Sequence, residues 1–472
     1  MKSYFRLSAL ILFTLSPLLL CTPVVVHAQW EPDVRLTNNS SNSYTSPNNA
    51  WCIAATGDTI NVVWTDSLDG NYEIYTKRSP DGGLSWGADT RLTYNSAVSL
   101  WPSVAVSESI VNVVWFDRRD GNSEIYYKRS PDWGLSWGSD TKLTNDNQAS
   151  DDPSVAASGS NVHVVWTDWR DGNWEIYYKR SSDWGLSWGS DTRLTNNSGR
   201  SVYSSVAASG SNVHVVWMDS SDVNWEIYYK RSPDGGLSWG SDTRLTNNSA
   251  SSYWPSVAAS GSNVNVAWFD GRDGNEEIYT KRSPDGGLSW GSDTRLTNNS
   301  ARSMYPSAVA SGSNVLIVWI DNRDGNFEVY YNRSPDGGLS WGSDTRLTNN
   351  SAFSLYPSVT ASGSRVNVVW CDQRDGNWEI YYKRNPQGKI GVEDNTKLMG
   401  QRVQGLKATP NPFTSFATVP GHSSDRFALY DISGRRVGVY KGDRIASGLG
   451  PGVYFLREEG KDGKPVRVIK LR

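Results

Sequence analysis

The chain has 472 residues with 46 Lys and Arg against 49 Asp and Glu, so its length admits one large domain or two to three ordinary ones, and its charge singles out no partner. Three cysteines are too few for a disulfide scaffold or a Cys-rich metal site. The 23 Trp and 23 Tyr beside 43 Gly, among many Ser, Asn and Asp, favour short aromatic strands joined by tight turns and disfavour a helical protein.

Lys2 and Arg6 precede an apolar run from Leu7 to Val26, and Val26-His27-Ala28 offers a cleavage site before Gln29. This predicts a secretory signal over 1–28. Lipid attachment at Cys21 is the weaker reading, because Leu20 stands where a small residue is wanted. No other segment is apolar for long enough to span a bilayer, so the mature chain is expected to be extracellular or at the outer cell surface, with no transmembrane segment.

From there one period explains most of the chain. Segments ending in NVVW or its variants place Trp at 64, 115, 166, 217, 268, 319 and 370, always 51 residues apart. Within a unit, PSVAAS, NVHVVW, EIYYKRS and DTRLT read as four strands. A lone four-stranded sheet of this size has two faces to bury and must stack on neighbours, which is the signature of a propeller. The expected fold is therefore all-β, a seven-bladed β-propeller over 29–390.

The seventh unit ends at Asn385-Pro386-Gln387-Gly388 and lacks a fourth strand, while the mature N-terminus carries an orphan one, with Trp30 preceding Leu36 as Trp86 precedes Leu92. Pairing 30–37 with the sheet at 359–384 would close the ring and remove its open edges. Cys52 replaces a Ser of the other units, and Cys371 replaces a Thr, Phe, Met or Ile. Closure makes their blades neighbours, so Cys52 and Cys371 are a candidate disulfide, subject to a Cα separation within about 7 Å.

SPDGGLSW at Ser79 to Trp86 and its five copies fit a hairpin turn in which a short Asp accepts backbone N–H bonds, Gly supplies the permissive backbone and Trp covers the turn. The motif resembles the Asp box of the BNR-repeat propellers, which include sialidases, other glycoside hydrolases and non-enzymatic binding proteins. That resemblance puts the turn between strands three and four, away from the substrate face, and makes Asp81, Asp132, Asp183, Asp234, Asp285 and Asp336 structural. Trp133 and Trp184 replace a Gly of the motif in two copies.

A second motif, DxRDGNxEIYYKR, joins strands two and three, with Asp-Gly as a hairpin signal. Its Arg119, Arg170, Arg272, Arg323 and Arg374 either pair with neighbouring carboxylates or make a polar contact from each blade. The loop does not meet the EF-hand pattern, and His163 and His214 have no second ligand at metal spacing. No metal and no cofactor is expected.

Strand alternation puts these hairpins on the same face as the strand-four to strand-one connections, opposite the SPDGGLSW turns. Those connections carry Trp101, Tyr203, Trp254, Tyr305 and Tyr356 just before the innermost strand, with Asp152 as the odd member. The aromatics are candidates both for wedging blades together and for binding a ligand, as are Trp174, Trp225, Phe327 and Trp378 beside the hairpins.

After residue 390 the repeat stops. A linker over 391–407 leads to ATPNPF, RFALYDISGRRV, LGPGVYFLRE and VRVIKLR in 408–472, again strands and Gly turns. This segment resembles the type A C-terminal sorting domain of the bacterial type IX secretion system. The resemblance implies a small Ig-like β-sandwich that engages the secretion machinery and guides export across the outer membrane. Residues 401–472 hold 13 Lys and Arg against 6 Asp and Glu, which leaves the propeller acidic and argues against a nucleic-acid partner.

The expected function is a non-catalytic, multivalent binding propeller for a glycan or protein ligand on the face opposite the Asp boxes, since weak identical contacts multiply through effective concentration. The first alternative is an exo-sialidase or related glycoside hydrolase. By the resemblance that needs three Arg, a Tyr and Glu pair and an Asp acid from different blades, six blades in place of seven and an FRIP segment, which this chain lacks. The second alternative is a structural spacer in a surface layer.

Overall fold

The computed structural model describes residues 30–47 and 51–386, and in the C-terminal part 417–418, 426–431, 435–441, 444–445, 449–458 and 466–470. The expected signal segment 1–28, the linker 391–407 and the NPF opening at 411–413 lie outside the described residues. Two compact units divide the chain, Met1–Gly391 and Val392–Arg472.

No helix occurs among the described residues. The first unit is seven antiparallel sheets in succession, a β-propeller. Blade three gives the pattern, with strands Ser150–Ser158, Asn161–Asp168, Glu175–Ser181 and Thr192–Arg193. The NVHVVW strand is apolar on both faces because a blade lies against it on each side. Trp166 is fully buried, stacks on Tyr177 at 6.0 Å and donates its Nε1–H to Asp168 at 2.7 Å. The equivalent Trp is fully buried in every blade, from Trp64 to Trp370. Truncating one such indole would cost roughly 3–5 kcal/mol.

The outer strand is shorter than DTRLT suggests. Only two residues enter the ladder, Thr192–Arg193 in blade three. Thr195 then takes over from the backbone, its Oγ accepting the Ile176 N–H at 2.8 Å while it donates to the buried Glu175.

The N-terminal strand Val34–Arg35 completes blade seven, pairing Val34 with Tyr382 and Arg35 with Tyr381. It reproduces the contacts of the other outer strands. Arg35 reaches Glu379 at 2.8 Å as Arg193 reaches Glu175 at 2.9 Å, and Trp30 meets Tyr331 edge-on at 5.2 Å as Trp188 meets Tyr127 at 4.9 Å. Asp33 binds both Arg374 and Lys383.

A seam of hydrogen bonds joins the innermost strands from blade to blade. Ser103 Oγ accepts the Val155 N–H, Ser154 that of Val206, Ser205 that of Val257, Ser256 that of Ala308, Ser307 that of Val359, and Ser358 that of Cys52. The last bond joins blade seven to blade one, so the wheel is sealed. Where Cys52 interrupts the serine series, the Val104 N–H goes instead to the Trp51 carbonyl at 2.7 Å.

The expected disulfide is absent. Cys52 and Cys371 are both buried and free. The Cys52 sulfur accepts the Ser46 N–H at 3.1 Å and faces the Pro102 carbonyl of blade two, whereas the Cys371 sulfur turns to the Leu355 carbonyl of its own blade at 3.4 Å. Strand pairing and ion pairs close the ring without a covalent clasp.

The second unit contains one four-stranded antiparallel sheet, Arg436–Lys441, Arg426–Tyr430, Gly452–Glu458 and Val466–Lys470 in spatial order, and a two-stranded pairing of Ala417–Thr418 with Arg444–Ile445. Phe427, Leu429, Leu456 and Val468 form its core.

Candidate functional site

The two faces of the wheel differ in what their polar groups are free to do. On one face lie the SPDGGLSW turns beside the hairpins between strands one and two, tied by bonds such as Gly82 N–H to the Asp58 carbonyl at 2.6 Å. The Asp81 carboxylate accepts Ser79 Oγ–H at 2.9 Å, the Ser85 N–H at 2.8 Å and Ser85 Oγ–H at 2.6 Å. These bonds to the ionised form, chiefly from Ser85, pull the Asp81 carboxyl down to about 2. Asp132, Asp183, Asp234, Asp285 and Asp336 accept the same serine bonds. All six carboxylates are consumed by their own turns.

The opposite face carries the DxRDGN hairpins and the connections from outer to innermost strands, stitched together by bonds such as Asn173 Nδ2–H to the Asn197 and Gly199 carbonyls. The five motif arginines are built into this framework. Arg119 binds both oxygens of Asp117 at 2.9 and 2.6 Å, reaches Asp140 of the outer strand at 2.7 Å and lies 4.3 Å over the Tyr126 ring. Arg170, Arg323 and Arg374 repeat this with Asp168 and Asp191, Asp321 and Asp344, and Asp372 and Asp33, and Arg272 holds Asp270 and Asp293 through its two terminal nitrogens. Each guanidinium clips a second strand to an outer one. Blades one and four, with Leu68 and Ser221 at that place, have no such arginine.

The aromatics just before the innermost strands behave differently. Trp101, Tyr203, Trp254, Tyr305 and Tyr356, with Asp152, all have left-handed backbone at φ between 48° and 54°. For residues of this kind that costs about 1–2 kcal/mol each. The cause is a bulge at each strand entrance, where pairing jumps from Leu100 with Phe116 to Ser103 with Val114, and likewise in the other blades. The bulge swings the side chain off the ladder's alternation, and the rings meet around the inner rim. Tyr203 stacks on Trp254 at 5.1 Å, Trp254 meets Tyr305 edge-on at 5.3 Å, and Tyr305 meets Tyr356 at 5.3 Å. Four consecutive blades thus share one half-buried aromatic arc.

Trp101 packs edge-on against Phe116 at 5.1 Å. Between Trp101 and Tyr203 in blade order the collar is acidic, with Asp152 in the aromatic position and Asp151 beside it. Burial raises the Asp151 carboxyl, against the pull of Ser123 and Arg118. Burial also pushes the Tyr356 hydroxyl up to about 12 and raises that of Tyr305, so both are neutral donors at physiological pH. Below the collar the innermost strands enclose a cavity of about 130 Å³ walled by small apolar residues such as Ala105, Ala156 and Ala208.

Other aromatics flank the hairpins on the same face. Trp174 meets Trp169 edge-on at 5.1 Å, Trp378 tilts against Tyr44 at 6.1 Å, Phe327 approaches Phe353 at 6.3 Å, and Trp225 is half-buried. His163 and His214 are buried in second strands, each bonded through Nδ1 to a tyrosine hydroxyl at 2.8 Å, and burial pushes both down to about 4. No cluster of three or more His, Cys, Asp or Glu suited to a metal occurs among the described residues.

The collar residues stand out in the sequence, but their left-handed backbone does not. No local signal announces it: a residue before Pro, as in Trp101-Pro102, Asp152-Pro153 and Trp254-Pro255, is expected to be extended, and the bulge overrides that preference.

No protein-family model and no curated protein matches this sequence. Among solved structures, the chain resembles polysaccharide lyase Uly1 with a TM-score of 0.52 at 7% identity, covering 75% of this chain and 99% of that one. Trypanosoma rangeli sialidase gives 0.44 at 12% identity over 78% of this chain and 86% of that one, and phage phi92 endosialidase gives 0.46 at 10% over 93% and 79%. At these identities the lyase likeness is one of fold.

Proposed function

We propose that the chain is an exported, non-catalytic binding propeller that engages a glycan or protein ligand at the collar. One observation carries this reading: six blades hold Trp101, Asp152, Tyr203, Trp254, Tyr305 and Tyr356 in the same strained backbone, and the five aromatics among them are half-buried at the inner rim. Strain repeated at one place is characteristic of surfaces that bind. Aromatic faces with neutral tyrosine hydroxyls and one acidic notch suit a ligand with both apolar and hydroxylated surfaces. The motif arginines serve as scaffolding in this reading and the collar as the contact surface.

The non-catalytic part rests on how the carboxylates are used. Asp117 and its counterparts are held by tryptophan Nε1 and, in five blades, by arginine, while Glu175 and its counterparts are buried under the outer strands. The exception, Asp151, favours the glycosidase alternative, because a half-buried carboxyl with a raised pKa is suited to proton donation. The SPDGGLSW turns support membership among Asp-box propellers, and the C-terminal unit is proposed to direct export to the cell surface.

A glycan array with the purified full-length chain, run beside a fluorogenic sialoside assay, tests the proposal. Glycan binding that Trp254→Ala weakens about tenfold without turnover is the expected result. Turnover lost in Asp151→Asn would establish the hydrolase reading, and silence in both assays would favour a protein ligand or a surface spacer.

A further inference from the structure

The face bearing the SPDGGLSW turns holds a second concavity, remote from the collar. Between blades three and four lies a crevice of about 390 Å³, lined by Arg180, Ser187, Trp188, Ser190, Thr192 and Leu237 among others, with no carboxylate residue in its wall. Two donors in that wall, Arg180 Nε and Trp188 Nε1, are buried without a hydrogen-bond partner in the chain. Leaving a buried donor unmatched costs about 1–3 kcal/mol.

The repeat supplies its own controls. In the two preceding blades the equivalent arginines are satisfied across the seam, Arg78 Nε donating to the Trp133 carbonyl at 2.9 Å and Arg129 Nε to the Trp184 carbonyl at 2.7 Å. Blade four has Gly235 at that place, and Arg180 instead folds back, its Nη2 on Asn161 Oδ1 at 2.9 Å, with Nε left over. Arg282 Nε is likewise unmatched in blade five, ahead of Gly337, whereas Arg231, ahead of Gly286, keeps its Nε on Asn212 Oδ1 at 3.3 Å. The unmatched indole N–H recurs at Trp86, Trp137, Trp239, Trp290 and Trp341, so the free guanidinium Nε is what sets this crevice apart from blades one, two and four. The crevice therefore combines a cation, an indole N–H, several hydroxyls and one exposed leucine, in a volume too large for a single inorganic oxyanion.

We propose that this crevice is a binding subsite for an oxyanion-bearing sugar, the carboxylate or sulfate unit of an acidic polysaccharide, distinct from the collar. The guanidinium and indole N–H donate to the oxyanion and the hydroxyls of Ser190 and Thr192 meet ring hydroxyls, while the nearby Asp183 carboxylate is occupied by its own turn, holding the Ser187 hydroxyl at 2.6 Å. This assignment does not depend on what the collar binds.

Titration of the full-length chain with alginate oligosaccharides, dextran sulfate, neutral dextran and sodium sulfate, followed by calorimetry, tests it. Saturable binding of alginate or dextran sulfate, and not of neutral dextran, is expected, and which of the two binds identifies the oxyanion. Arg180→Gln should weaken it about tenfold, and Trp188→Phe, which keeps the ring but removes the donor, several-fold. Gly235→Trp copies the turns at Trp133 and Trp184; a Cβ at Gly235 meets nothing closer than 3.9 Å, so the variant adds only the backbone strain those two turns already carry, and it should draw Arg180 Nε onto the turn carbonyl as in blades one and two and so weaken binding. The proposal is overturned if neither acidic polymer binds, if neutral dextran binds equally well, if sodium sulfate alone accounts for the affinity, or if the three crevice variants bind like the parent.

Discussion

Replacing His163 and His214 together by Asn should make the propeller markedly more acid-resistant. Both imidazoles are buried in second strands, and burial with a nearby arginine lowers them from 6.5 to about 4. The fold therefore holds them neutral, while the unfolded chain takes up their protons. Stability from this source is fully present above pH 6.5 and is lost as pH falls toward 4. At pH 5 each histidine costs about 2 kcal/mol, so the pair costs about 4 kcal/mol relative to pH 7.5. Asn is the residue of four sister blades, in two of which it meets a tyrosine: Asn112 Oδ1 accepts the Tyr127 hydroxyl at 2.7 Å and Asn367 Oδ1 accepts that of Tyr382 at 2.6 Å. The substitution thus keeps the hydrogen bond and removes only the titration. Guanidinium unfolding followed by tryptophan fluorescence at pH 7.5 and pH 5 would read the difference, since carboxylate effects are common to both proteins. An equal loss of stability in parent and variant between these pH values would refute the reasoning, because the imidazoles would then titrate alike in folded and unfolded chains.

Deleting residues 30–39 should open the wheel, and hydrogen exchange is expected to show lost protection in Glu379–Asn385, whose outer partner is then missing. Glu175→Ala should destabilise the protein by about 3–5 kcal/mol in chemical denaturation, because it strips Arg193 and Thr195 of a buried partner. Trp133→Gly should raise stability by about 1 kcal/mol, since it relieves a tryptophan at φ 60° that sister turns fill with glycine. A lower unfolding midpoint in that variant would mean that the indole packs more favourably than its 44% exposure indicates.

The repeat length, the strand count of a blade and the joining of the two chain ends were all readable from the sequence. Each follows from local composition and from one arithmetic fact, that a strand missing after Asn385 reappears at Val34. The Arg motif was half legible: its hairpin could be placed, but whether Arg119 and its counterparts faced a ligand or a carboxylate could not. That choice turned on Asp140 and Asp191 of the outer strands, 21 residues away from the respective arginines, arriving beneath the guanidinium.

The free cysteines show the same division from the other side. Substitution pattern and blade adjacency brought Cys52 and Cys371 into one core, yet side-chain direction sent one sulfur toward Pro102 and the other toward Leu355. By itself the sequence determined which elements exist and which must pair, because hydrophobic period and turn chemistry act over a few residues. Only the tertiary structure decided where side chains point across blade seams, including the left-handed collar and the unmatched donors of the blade three to four crevice, because those directions are set by bulges and by neighbours 51 residues or more away.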